Sequence, residues 1–558
     1  MASSIDGDLE PSSDLQNSLF RQKTRKALIR NIELYLNEKN HTTNNEPVDE
    51  SYNRVVTECK EKLRVIIEEH TKANLRYRDP EFDLSNDLKI GRCLNELGSI
   101  RFRQDQQAMF TPSIITPKGV RRLPVVYTNP DLSGETGDLG IQQGKLGNCW
   151  LIAALKCWAI QEDGIKGSCV GHDLQLGVYG FVFYKDGDWT YSIVDDQIYL
   201  KAQDRSSMST ELLHLENYRN HTSEELYRKV YQTGPETIFF SYSKSQEATW
   251  GSLAEKAFAK IHGDYASLEC GHLSDALEVL SGGVAISLHS TDIFDRDQFW
   301  ADKLSKINNE LIFGVSSHQT SVNRIDPDGI LPRHSYGVID IRTVKDGTRL
   351  VRLADPLHSD QGTWKGPWSN DSKALTSDVR KELGDDFGDP STFWMPYEIM
   401  FSKFPYIHML HRLRGPNWRY SQSWVNIDIL PGAEYIDKFS IRVTESSPLV
   451  ISLSKIDSRS YRCLVGPDCL TLSFQVWRGK VLVAQSLQPF PARSRAIDLP
   501  DVPIGEYKIS LRVTRRWYPG QGTVGAGWGE GPWEEKLEQA SNAFARAHSK
   551  CPEYLLKT

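Results

Sequence analysis

The sequence predicts an α+β chain that becomes all-β toward its end, and three patterns predict it. Helical spacing dominates up to about residue 73. Mixed helices and antiparallel hairpins follow from Tyr77 to about Leu413, and short strand-like runs separated by turn residues lie beyond Gly415.

Taken in order, residues 1–17 are acidic and polar and read as disordered. Leu28, Ile29, Ile32, Tyr35 and Leu36 recur at three- to four-residue spacing, which predicts an amphipathic helix over 20–36. Residues 40–50 read as a polar linker. A second helix is expected over 51–73, with Val55, Val56, Leu63, Ile66 and Ile67 on its apolar side, and the two could pair as a helical hairpin. A Gly-containing turn over 144–148 feeds an apolar helix. Runs 177–184 and 189–194 flank Asp186-Gly187, a hairpin signal. Helices are expected over 253–261 and 274–280, and strands over 336–342 and 350–353 around Asp346-Gly347. Further strands are expected over 424–429, 439–443, 449–453, 472–477, 480–484 and 507–513, a spacing that suits an antiparallel sandwich. Residues 517–533 are Gly-rich and read as a loop leading into a closing helix over 534–548.

Composition narrows the function. Of 558 residues, 39% are hydrophobic, with 20 Phe and 14 Trp, enough for a real core, which excludes wholesale disorder and a fibre. Lys plus Arg number 66 against 73 Asp plus Glu, a net charge of −7, so the basic field of a nucleic-acid binder is missing. No basic segment followed by an apolar one stands at the start, and the longest apolar run, Leu151–Leu155 with Cys157–Ile160, is broken by Lys156. Nine scattered Cys, an odd number, argue for a reducing compartment, and a cytoplasmic location is expected. Cys463 and Cys469 have no matching second pair, which disfavours zinc.

The chemistry concentrates in Gln143-Gly144-Lys145-Leu146-Gly147-Asn148-Cys149-Trp150. A thiol where a turn enters a helix has backbone N–H groups aimed at it, and the helix field favours its thiolate. The same donors, with the Gln143 amide, can hold an oxyanion. A Cys nucleophile also needs an imidazole and a group to orient it, and His334 and Asp355 are candidates. Residue types alone leave a core thiol and a structural His as open alternatives.

The stretch 143–154 resembles the nucleophile motif of the calpain cysteine proteases, Q-G-x-x-G-D-C-W-[FL]-x-A-A. His334-Ser335-Tyr336 resembles their H-A-Y, and Trp364-Lys365-Gly366-Pro367-Trp368-Ser369-Asn370 their W-x-G-x-W-S-D. Tyr77-Arg78-Asp79-Pro80-Glu81-Phe82, residues 253–260, Ser281-Gly282-Gly283-Val284 and Phe393-Trp394-Met395 are also similar to calpain segments. The resemblance implies a papain-like two-lobed protease core. A helical lobe over 75–283 would carry Cys149 and a sheet lobe over 284–413 would carry His334. A helical N-terminal extension over 1–74 would precede them, and a C2-like antiparallel β-sandwich over 414–515 and a tail over 516–558 would follow. It implies Cys149 as nucleophile, His334 as base, and Gln143 with the Cys149 N–H as oxyanion hole. Where the family has N-P-W-G, this chain has Asp355-Pro356-Leu357-His358, so Asp355 takes the place of the orienting Asn, Leu357 that of a shielding Trp, and Asn148 that of the usual Asp. Asp355 can accept the imidazole N–H as Asn does while adding a charge that raises the base's pKa.

The family core usually binds two calcium ions through carboxylates. The matching positions here, Gly140, Thr363, Asn370, Pro390 and Thr392, are neutral; only Glu255 is acidic, and no EF-hand loop pattern occurs. No metal and no cofactor are expected. The implied function is an intracellular cysteine endopeptidase that cleaves peptide amides through a thioester, independently of calcium, with a polypeptide or amide-containing substrate in an extended cleft. Two alternatives remain: a cysteine acyltransferase forming amides in small-molecule biosynthesis, and a catalytically dead adaptor. The sandwich could bind phospholipid or a partner, but its basic residues Arg459, Arg462, Arg478, Lys480, Arg493 and Arg495 read as solvated surface.

Overall fold

The computed structural model describes residues 43–94, 116–132, 139–219, 223–318, 326–357, 363–384, 391–459, 468–486 and 492–517, apart from 246, 416, 426, 428 and 431. The helix expected over 20–36, its hairpin, the Gly-rich loop and the closing helix lie outside the described residues. Strand β1 (Thr43–Pro47) occupies the expected linker, and helix α1 (Val48–Ala73) starts at Val48 rather than Ser51. The correction has a physical cause: β1 pairs antiparallel with residues 419–422, a partner too distant in sequence to be foreseen. Asp49 and Glu50 in its first turn and His70 and Lys72 in its last complement the dipole of α1, and Asn74, with φ 52°, ends it.

After α2 (Leu84–Ile90), β2 (Gly119–Arg122), α3 (Leu123–Val126) and β3 (Ile141–Gln142) comes α4 (Cys149–Ala159), apolar apart from Lys156 and buried from Trp150 to Ala159. It is followed by α5 (Gly164–Ser168), a three-stranded antiparallel sheet of β4 (Cys169–Asp173), β5 (Val178–Lys185) and β6 (Asp188–Asp195), and then β7 (Gln197–Leu200). The β5–β6 hairpin turns at Asp186 (φ 50°) and Gly187 (φ 81°), as the Asp-Gly pair predicted. Val55, Cys59, Leu63 and Ile66 of α1 pack on this sheet against Val178, Val182 and Trp189. Next stand α6 (Thr210–Tyr218), α7 (Glu224–Tyr231), β8 (Tyr242–Ser243), α8 (Trp250–His262) and α9 (Leu273–Ser281), which ends on Gly282.

From there the chain forms β9 (Val284–His289), α10 (Arg296–Asp302), β10 (Leu311–Ser316), β11 (Ser335–Thr343), β12 (Arg349–Ala354), α11 (Ser377–Leu383), β13 (Thr392–Pro396), α12 (Tyr397–Lys403) and β14 (Tyr406–His411). Its strands make a six-stranded antiparallel sheet in the order β13-β12-β11-β10-β14-β9. One core gathers around α4, α8 and α9; a second, from Phe299 to Met409, lies against this sheet. The described chain therefore holds the mixed α+β content the sequence predicts. The cores touch where α4 lies on β11. A Cβ on Gly337 would stand 2.5 Å from Cys157 Sγ and 3.1 Å from Ala153 O, so only glycine permits that approach.

The remaining strands are β15 (Arg419–Gln422), β16 (Glu434–Val443), β17 (Ser447–Ser454), β18 (Asp468–Arg478), β19 (Val481–Gln485), β20 (Ser494–Val502) and β21 (Gly505–Trp517). A four-stranded sheet, β16-β21-β18-β19, and a β17-β20 pair share a core containing Leu472, Phe474, Val476, Ile497 and Tyr507. Two expectations are corrected here. The described part of 424–429 is not a strand, and the carbonyl of Ile429 accepts from the Arg515 guanidinium at 2.8 Å. Arg459, Arg493 and Arg495 are not solvated surface. Arg495 is 5% exposed, and the side chains of Arg459 and Arg493 are 15% and 11% exposed against carboxylates of the preceding core.

Candidate active site

Pairing of β3 with β8 brings the chain to Gln143, whose N–H donates to Pro356 O at 2.9 Å. The turn is then held by Lys145 N–H on Phe239 O (2.9 Å) and Cys270 N–H on Gly147 O (3.0 Å). Gly144 has no room for a side chain, since a Cβ there would collide with the carbonyls of Phe239 and Phe240. Asn148 precedes α4 as its cap residue, so Cys149 is the first helical residue, as expected, and is partly exposed. The Gln143 side chain donates one amide N–H to Leu146 O at 2.6 Å and has a second N–H to offer; its Oε1 is buried without a partner.

His334 enters from the other core, immediately before β11. Arg333 before it adopts a left-handed φ of 52°. Reciprocal bonds fix the His334 backbone: its N–H donates to Ser317 Oγ at 3.0 Å, and its carbonyl accepts from Ser317 N–H at 2.9 Å. Tyr336 meets its ring edge-on at 4.8 Å. His334 Nε2 lies 2.8 Å from Asp355 Oδ1, which also accepts the Leu357 N–H at 2.9 Å. Asp355 is 1% exposed and its Oδ2 has no partner. With Nε2 on Asp355, the hydrogen bond between His334 and Cys149 falls to Nδ1. Cys149, His334 and Asp355, widely separated in sequence, are thus brought together, and Gln143 is tied to the Asp355 loop through Pro356.

The electrostatics follow from these contacts. Burial works against both charges, but the His334 cation and the N–H groups of Ser335 and Trp150 outweigh it and hold the Cys149 thiol below its ordinary range. Burial likewise disfavours charge on His334, yet the Cys149 thiolate and the Asp355 hydrogen bond raise its pKa. The pair is poised as thiolate and imidazolium, a nucleophile beside a proton donor. His408, in the same sheet, shows the opposite case. It bridges Ser287 Oγ and Ser316 Oγ at 3.0 Å each and faces no anion at that distance, and burial pushes it down to about 3.

The residues present do not fit calcium. Both Glu255 oxygens are occupied: Oε1 accepts from Asn148 Nδ2 at 2.6 Å, and Oε2 from the Ser241 N–H at 2.8 Å and hydroxyl at 2.7 Å. At Thr392, another of these positions, the Arg352 guanidinium, a cation, donates to Oγ1 at 2.9 Å. Pro390 lies outside the described residues. Among the described residues no cluster of three or more His, Cys, Asp or Glu could hold a metal ion.

Sequence reasoning missed Ser317, which no pattern marks, and the partner of Asn148. Asn in place of the family's Asp keeps the buried Glu255 from facing a second carboxylate at 2.6 Å, a repulsion readable only once α8 is packed beneath α4.

Comparison with known proteins finds relatives among cysteine proteases. The profile of the calpain family cysteine proteases matches residues 102–231 and 228–411. The chain is 26% identical over 312 residues to the calpain-type cysteine protease ADL1 of Oryza sativa subsp. japonica, covering 55% of this chain and 13% of that protein. It is 25% identical to a calpain of Schistosoma mansoni (50% of this chain, 34% of the relative) and 26% identical to human Calpain-14 (51% and 37%). The match therefore spans well under half the length of each of these relatives.

Proposed function

Because the chain belongs to the calpain family of cysteine proteases, we propose that it is a cysteine endopeptidase in which Cys149 is the nucleophile, His334 the acid–base and Asp355 the group that orients it. The observation that supports this most is the hydrogen-bonded series Cys149–His334–Asp355, closed at 2.8 Å on the Asp355 side. In the reaction, Cys149 Sγ attacks the peptide carbonyl carbon. The oxyanion is held by the Cys149 N–H and the free N–H of Gln143. The imidazolium of His334 gives its proton to the departing amine as the C–N bond breaks, leaving a thioester. Neutral His334 then takes a proton from water, whose oxygen attacks the thioester; as the C–S bond breaks, the acid leaves and the Cys149 thiolate is restored beside the protonated His334.

We read residues 75–283 and 284–413 as the two lobes, with an extended polypeptide lying between them, and 414–515 as a C2-like module. The occupied Glu255 and the Arg352 cation favour calcium-independent action. A reducing, cytoplasmic setting suits Cys149, Cys157 and Cys169, which are free thiols. Among the described residues no helix is long and apolar enough to cross a membrane. The test is iodoacetamide labelling of Cys149 against pH. The apparent pKa should lie well below the free-thiol value of about 8.5. Labelling no faster than in the denatured chain would refute the proposal.

A further inference from the structure

The loop between β17 and β18 carries Lys455-Ile456-Asp457-Ser458-Arg459 out of the C-terminal sheets and into the protease core. The Asp457 N–H donates to Asp186 Oδ1 at 2.8 Å, in the β5–β6 turn. The Arg459 guanidinium lies over the Trp150 ring, 4.6 Å from its centroid, and donates to Asp275 Oδ2 at 3.2 Å and Asp457 Oδ2 at 2.9 Å. Arg493 of the same sheets pairs with Glu278, which also accepts from Ser494 Oγ at 2.9 Å. Two arginines from one module therefore meet two carboxylates of α9 in the other, with little solvent exposure.

Trp150 immediately follows Cys149, and its placement reaches the thiol directly because its backbone N–H is one of the groups that favour the thiolate. Its indole N–H donates to Leu268 O at 2.9 Å, and Phe258 meets the ring edge-on at 6.0 Å. Gly271 completes the enclosure. A Cβ there would fall 2.5 Å from Trp150 Cε2 and 2.8 Å from Arg459 Nη2. The neighbouring Cys270 N–H holds Gly147 in the nucleophile turn. Arg459 closes the remaining side of this enclosure, and it comes from outside the protease core.

We propose that Arg459 is a positioning residue of the Cys149 site, through which the docked C-terminal sheets fix Trp150 and thereby the N–H groups that favour the thiolate. This rests on the peptidase reading. Guanidinium suits the role because it stacks flat on the indole while its fork bonds two carboxylates; a lysine ammonium keeps the charge but not the stacked plane.

The experiment measures iodoacetamide labelling of Cys149 against pH, by peptide mapping, in the full chain and its Arg459→Gln, Arg459→Lys and Asp275→Asn variants. All are held below their unfolding midpoints. The expected result is about tenfold slower labelling of Arg459→Gln near neutral pH, scaled from the cost of a misplaced reacting group, with the apparent pKa moved toward the free-thiol value. Arg459→Lys should recover part of the rate and Asp275→Asn should fall between. A lower melting temperature with a wild-type labelling profile in Arg459→Gln and Asp275→Asn would overturn the inference and leave Arg459 a structural contact. If Arg459→Gln does not fold, the profiles of Arg459→Lys and Asp275→Asn decide by the same criterion. Slow labelling of the wild-type chain instead counts against the peptidase reading.

Discussion

Replacing Asp355 by Asn restores the residue usual in the family and removes one buried charge. The carboxylate Oδ1 lies 2.8 Å from His334 Nε2. With charge centres about 4 Å apart and an effective dielectric of about 20, the attraction is about 4 kcal/mol, or roughly three pH units. Asn keeps a carbonyl acceptor for the ring N–H, so the expected fall in the His334 pKa is smaller, about one to two pH units. Asn also has only one good orientation. Its oxygen must serve both His334 and the Leu357 N–H, which leaves the amide NH₂ in the buried Oδ2 position, where no partner stands. That orphaned donor costs about 1–3 kcal/mol. His334 must be protonated to sustain the thiolate and to donate to the leaving amine, so kcat/KM falls as pH rises through its pKa. In D355N that alkaline limb should move to lower pH, with a loss at the optimum of about 10- to 100-fold. This is less than the roughly 10⁴ seen when a serine triad adopts the wrong tautomer, because the thiolate exists before substrate arrives. Stability has the same sign. A raised folded-state pKa stabilises the fold below the unfolded value and the gain is lost as pH rises through the folded value, so the loss should begin at lower pH in D355N. The assay is kcat/KM against pH for wild type, D355N and D355A on one fluorogenic peptide. Wild-type rates and limbs in D355A would refute the reasoning and move attention to His358.

Calorimetric titration of the metal-free chain with calcium should detect no site tighter than about 10⁻⁴ M, the weak end of protein calcium sites, and a micromolar site would end the claim of calcium independence. Gly337→Ala places a methyl against Cys157 and Ala153, and should cost about 1–3 kcal/mol by thermal unfolding. By spreading α4 from β11 it should also lower kcat/KM about 100-fold at temperatures where the variant is folded; an unimpaired rate there would show that this contact does not set the Cys149–His334 approach.

The candidate triad was legible because its motifs are local: a turn entering a helix marks Cys149, and short strings around His334 and Asp355 accompany it. Features made by distant partners were not legible. Residues 43–47 look like a linker until β15 supplies their hydrogen bonds. Residues 494–502 contain Arg495, Asp498 and Pro500, a poor strand pattern, yet they pair with β17 because Ile497 and Val502 reach the shared core. Arg459 read as surface because an arginine's environment is set by what approaches it, here Trp150 and Asp275, and no spacing in sequence records that approach.

The β1–β15 pairing bears on any attempt to excise a working fragment. Val48 N–H donates to Trp418 O at 3.1 Å and Gly415 N–H to Asp49 Oδ2 at 3.2 Å, while the Arg414 guanidinium covers Tyr52 at 4.1 Å and reaches Trp189 at 5.4 Å. The stretch leading into the C-terminal sheets is thus fastened to the start of α1 and, through Trp189, to the β5–β6 hairpin. A fragment confined to residues 75–413 would lose both halves of this fastening at once. It would also strip α1 from β4–β6 and leave Val178, Val182 and Trp189 open to water. Residues 43–73 and 414–422 therefore belong with residues 75–413 in any fragment meant to fold.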